Sequence, residues 1–245
     1  MSSDSILTIA LIAGEAIVLA PIMRRNIWRL LPVFSAYLVW ALASDLAGLY
    51  FQSLGVAFNY LRFYTIEMTI DSLVVFTVLV ELGWSVLRPI RSSLPRGSLY
   101  ALAALIAVAG LLIWPLADKT TPPQMGDEGA AIFHLQQTFA ILRAACFVVM
   151  AGFSQLLSIS WRDRELQVAT GLGIYSIATL LVNMLHAHQL SGTNYHRLDQ
   201  AVSLSYLGTL AYWVVSFAAK EYQRKEFSPQ MRDFLLLMGG GARKP

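Results

Sequence analysis

Between Tyr60 and Arg88 the chain reads YLRFYTIEMTIDSLVVFTVLVELGWSVLR, a run long and apolar enough to cross a bilayer as a helix. Three acids, Glu67, Asp71 and Glu81, lie inside it. Each acid placed mid-membrane costs about 3 kcal/mol on insertion scales, so these side chains are not expected to face lipid. Glu67 and Asp71 stand four residues apart and share a helix face, and Glu81 falls close to that face about three turns later. The stretch therefore predicts a central membrane helix with an acidic stripe turned toward protein or water. The rest of the chain has to supply helices that enclose it.

Composition agrees with that demand. Only 13% of the 245 residues are charged and 56% are hydrophobic, with a mean hydropathy of +0.57. A soluble domain carries about 25% charged residues. Seven apolar runs recur, at about 6–23, 31–51, 60–88, 98–116, 131–159, 166–188 and 198–219. They predict an all-α membrane protein built as a seven-transmembrane-helix bundle over residues 1–219. The fourth run is the most uniformly apolar and is expected to face lipid. The single cysteine, Cys146, excludes an internal disulfide and a Cys-rich metal site and reads as a small apolar helix residue.

Charge fixes the expected orientation. Asp4 precedes the first run, whereas Arg24, Arg25 and Arg29 follow it, the reverse of a signal peptide. With the N-terminus outside, fourteen of the 18 Lys and Arg residues fall in cytoplasmic segments. The outside receives Arg62, Lys119 and Arg197, and Arg143 lies within a span. The opposite orientation breaks the positive-inside rule at every loop. Residues 220–245 then form a cytoplasmic tail. In it, Ser228-Pro229 starts and Gly239 stops a short amphipathic helix expected on the membrane surface.

Depth can be read from a rise of ~1.5 Å per residue. Measured from the outer end of each span, Asp45 and Glu67 fall at about 10 Å, Glu15 at about 13 Å, and Asp71 and Arg143 at about 15 Å. Asn183 belongs to the same outer half. Converging, these six residues would form a polar pocket open to, or just beneath, the outer face. Arg143 is the natural counter-ion of Asp71 or Glu67, and its loss is expected to orphan a buried acid. Glu81, near the cytoplasmic end, is expected to pair with a loop arginine such as Arg88 or Arg91.

The four histidines, His134, His186, His188 and His196, all fall at the outer ends of spans five and six or in the following loop. His134, His186 and His188 are weak candidates for a Zn²⁺ or Cu²⁺ site. Residues i and i+2 of a regular helix point about 200° apart, so His186 and His188 share a metal only if the helix has unwound. No two histidines lie deep on facing spans, which disfavours haem. No cofactor is predicted, although bound lipid is expected.

Seven spans with the N-terminus outside match the topology of seven-helix receptors and microbial rhodopsins. Span seven holds no lysine for a retinal Schiff base, since Lys220 lies at its cytoplasmic end, so retinal is disfavoured. The receptor hallmarks D-R-Y in span three and N-P-x-x-Y in span seven are missing as well. The sequence Tyr60-Leu61-Arg62-Phe63-Tyr64 leading to Glu67, then Glu81 and Arg88-Pro89, after an aromatic-rich second span, resembles a group of uncharacterised bacterial seven-helix integral membrane proteins. That resemblance implies a multi-pass protein of the cytoplasmic (inner) membrane and no particular activity.

Three readings of function stay open. One is a non-enzymatic, receptor-like or small-molecule-binding bundle with its site in the outer half. Another is a structural or self-assembling subunit of a larger membrane complex. The last is a proton- or ion-coupled carrier, against which the lack of an evident inverted repeat counts. No nucleophile–base pair or phosphate loop speaks for an enzyme. The lipid bilayer is the expected partner, with a homo-oligomer or larger complex left open and no nucleic acid. A pocket of several hundred cubic ångströms favours binding, and a dry, fully paired cluster favours a scaffold.

Overall fold

The computed structural model describes residues 3–53, 60–88, 95, 97–117, 127–152, 163–186 and 193–219. These residues form eight helices and no strand. In chain order they are α1 (Ser3–Arg24), α2 (Ile27–Leu30), α3 (Pro32–Ser53), α4 (Tyr60–Val86), α5 (Ser98–Ala117), α6 (Asp127–Gly152), α7 (Arg164–His186) and α8 (Thr193–Ala218). Six of them (α1, α3, α5, α6, α7 and α8) are long and apolar enough to cross a membrane. The remaining long helix is α4, the acid-bearing stretch, at 27 residues. The expected cytoplasmic tail helix, His188, and the end of span five beyond Gly152 lie outside the described residues.

The one-turn α2 was not expected. It arises because the chain reverses at Asn26, whose φ of 54° places it in the left-handed region that asparagine tolerates better than most residues. Pro32 then opens α3, where its missing N–H costs nothing and its fixed φ suits a first helical position. The next amides, Val33 and Phe34, are orphan donors of a helix start. They donate to the two carboxylate oxygens of Glu81, at 2.8 Å each. Glu81 thus caps α3 from α4, as amides at a helix N-terminus attract an anion, and the described Arg88 turns to Ser85 instead; Arg91, the other expected partner, lies outside the described residues.

The long helices form a closed ring. Going round, α1 packs on α3, α3 on α4, α4 on α6, α6 on α7, α7 on α8, and α8 back on α1. The fifth helix lies outside, against α4 and α6, and none of its apolar window is buried. Leu105, Leu111 and Leu112 are 66–73% exposed there, as suits a helix facing lipid.

The apolar core fills one end of the ring, where α1 and α8 finish and α3 and α7 begin. Phe34 meets Trp213 edge-on at 5.1 Å between centroids, and Phe217 at 6.1 Å. Ile22, Ile27, Leu31, Leu166 and Leu210 complete it. Close approach of α7 to α8 requires Gly171, since a Cβ there would collide with the Trp213 indole.

The same end buries a polar layer at the start of α7. Asp163, Arg164 and Glu165 are 2–4% exposed. Arg164 donates to the carbonyls of Ser216 and Ala219 and to the Gln167 side chain, at 2.8–2.9 Å. Arg25 donates to the Ala218 carbonyl at 2.8 Å. Two cations, Arg25 from the turn after α1 and Arg164 from the start of α7, therefore close the C-terminus of α8, where unpaired carbonyls and the helix dipole favour positive charge.

Candidate functional site

At the opposite end the ring is hollow. A cavity of about 500 Å³ opens where α1, α4, α6 and α8 begin and α3 and α7 end. Glu15, Asp45, Glu67, Asp71, Arg143 and Asn183 all line it. Every helix of the ring contributes, and α5 does not.

Each wall is one helix face. On α3 the lining residues are Tyr37, Trp40, Ala41, Ser44 and Asp45; on α8 they are Asp199, Val202, Ser203 and Tyr206. Both sets follow the i, i+3, i+4, i+7 spacing of a single face. The same holds for Glu67, Met68, Asp71 and Ser72 on α4, and for Tyr175, Thr179, Val182 and Asn183 on α7. That periodicity, carried from the acids to their aromatic and hydroxyl neighbours, was the available signal for Tyr37, Trp40, Tyr175 and Tyr206.

The polar groups are only partly satisfied. Glu15 is 1% exposed; its Oε1 accepts from the Tyr206 hydroxyl at 2.8 Å, and its buried Oε2 has no hydrogen-bond partner. Asn183 donates to the Gln137 side chain at 2.8 Å, and Gln136 donates to the Met68 sulfur. Ser44 is buried with its hydroxyl unbonded.

Arg143 differs from expectation in its partner. Its guanidinium lies over the Tyr175 ring, 5.5 Å from the centroid, and its buried Nε has no hydrogen-bond acceptor. Asp71 is near enough for electrostatic attraction, yet the described residues show no direct ion pair between them. The cavity separates groups that a dry bundle would press together, so the aromatic face takes the contact assigned to a carboxylate. Among the acids, Asp45 interacts electrostatically with both Glu15 and Glu67, and Glu67 also with Asp71.

His134 and His196 sit apart from this constellation. The Nε2–H of His134 donates to the Trp114 carbonyl at 2.6 Å, and its ring lies against the Trp114 indole. His196 pairs with Asp4 at 3.2 Å on an exposed surface. The side chain of His186 and all of His188 fall outside the described residues. Among the described residues no three His, Cys, Asp or Glu side chains converge as a metal-ligand set.

Comparison with known proteins brings no name to this geometry: no family model, curated protein or solved structure matches the chain.

Proposed function

We propose that this chain is a receptor-like integral membrane protein that binds a small molecule in the cavity between α1, α3, α4, α6, α7 and α8, without transforming it. In this reading α4 is a seventh crossing, the N-terminus is outside, and the cavity lies in the outer half of the bilayer. The resemblance to bacterial seven-helix proteins adds the cytoplasmic membrane as its location. The observation that carries the reading is the hollow itself. Its volume of about 500 Å³ falls in the range of small-molecule sites, and buried polar atoms of Glu15, Ser44 and Arg143 lack partners. A cluster whose task is only to clamp helices would be closed and paired, because an unpaired buried polar group costs about 1–3 kcal/mol.

A single cysteine at Ala41, a half-buried residue of the cavity wall, in a chain whose Cys146 is replaced by alanine, tests both the opening and the orientation. A membrane-impermeant thiol reagent added to intact cells is expected to label Ala41→Cys, and the same reagent confined to the cytoplasmic side is not. Protection from both sides would leave a sealed void and return the bundle to the role of a scaffold. Labelling only from the cytoplasm would invert the topology.

A further inference from the structure

We infer that the cavity selects an organic cation, a small amine carried on an apolar or aromatic body; this rests on the binding reading above. Five carboxyl groups from four helices, Glu15, Asp45, Glu67, Asp71 and Asp199, line the space, whereas Arg143 is the single basic residue among the described lining side chains. Arg143 is already seated on the Tyr175 face. A bound anion would therefore enter a field of predominantly negative sign, and a cation would relieve it.

Two further observations set the class of cation. Glu15 lines the cavity, and its buried Oε2 has no hydrogen-bond partner, an acceptor for a donor that the protein does not supply. The acids are spread round the wall and do not converge as metal ligands among the described residues, so a bare metal ion finds no coordination sphere. Between them stand the rings of Tyr37, Trp40 and Tyr175. Aromatic faces attract ammonium groups and accommodate the carbon body attached to them. An amine of that shape meets a carboxylate with its N–H donors and the rings with the remainder.

The test uses the full-length protein in lipid nanodiscs, with Cys146→Ala and Ala41→Cys; Ala41 lies half-buried on the cavity wall and has no polar side chain to lose. Two methanethiosulfonates of similar size are compared, one bearing trimethylammonium and the other sulfonate, each rate divided by its rate with free mercaptoethanol. The normalised cationic rate is expected to be about tenfold the anionic one, and Glu15→Gln and Asp45→Asn should each bring the ratio toward unity. In a second arm, phenethylammonium should slow labelling by neutral methyl methanethiosulfonate saturably, and phenethyl alcohol and phenylacetate should not. Both arms have to hold. A ratio at or below unity, a ratio indifferent to both substitutions, or no selective protection by the amine overturns the cation assignment and leaves an accessible pocket. No labelling by any reagent removes the pocket reading and the inference together. Should Ala41→Cys fail to fold, Ser203→Cys places the thiol on the α8 wall of the same cavity for the same comparison.

Discussion

Glu15 shows how a single residue can be both buried and half used. Its one hydrogen bond comes from Tyr206, so Tyr206→Phe leaves a carboxylate with neither oxygen bonded by protein. That change is expected to lower stability by about 1–3 kcal/mol in detergent unfolding, and by clearly less in a Glu15→Leu background. Equal losses in the two backgrounds would mean that the bond contributes nothing. Gly171 makes the opposite point, that a missing side chain can be essential. Gly171→Ala drives a methyl group into the Trp213 indole and is expected to cost about 1–3 kcal/mol. Gly48, with nothing near its absent Cβ, is the control: Gly48→Ala should be neutral or stabilising by up to about 1 kcal/mol. Melting temperatures of the two variants separate packing from helix propensity.

Among the elements, α3 and α8 depend on other helices for their ends. Glu81 holds the first amides of α3, and Arg25 and Arg164 hold the last carbonyls of α8. Glu81→Gln keeps one acceptor oxygen for two amides and should cost about 1 kcal/mol, and Glu81→Ala about twice that. Arg164→Ala should cost about 3 kcal/mol, because it removes a buried charge together with three hydrogen bonds. Hydrogen exchange locates the damage: faster exchange confined to the last turn of α8 is the expected signature, and uniform acceleration would point to global loosening instead. Neither cap was legible in the sequence. A charge near the end of an apolar run looks the same whether it reaches water or a neighbouring helix terminus. Only the packing of α7 on α8 tells Arg164 apart from an ordinary interfacial arginine.

On the scale of the whole molecule, the helical class and the level of the buried charges were legible, since a charge inside an apolar run stands out and depth follows from helical rise. Glu15, Asp45, Glu67, Asp71, Arg143 and Asn183 come from five helices, and all reach one cavity. The aromatic part of the wall was legible only through its helical register with the charged residues, because Tyr37 or Tyr175 taken alone in an apolar helix reads as core. For Arg143 the sequence indicated the complement, Asp71, but not the space between them or the Tyr175 face that takes the contact. The ring arrangement predicts a division of labour: α5 stands outside and lines no part of the cavity. Replacing its exposed Leu105, Leu111 and Leu112 by alanine should leave labelling of Ala41→Cys unchanged and stability within about 0.5 kcal/mol. An altered labelling rate would mean that α5 shapes the cavity from behind.

The bond between Glu15 and Tyr206 joins residues 191 positions apart. At the usual pace of a ribosome, roughly 10–40 s pass between the appearance of the first and the second. Throughout that interval the nascent chain carries a carboxylate whose partner has yet to be made, and closure of the ring waits for the last helix. A chain cut short before α8 keeps a stranded acid on α1 and an open seam between α1 and α7.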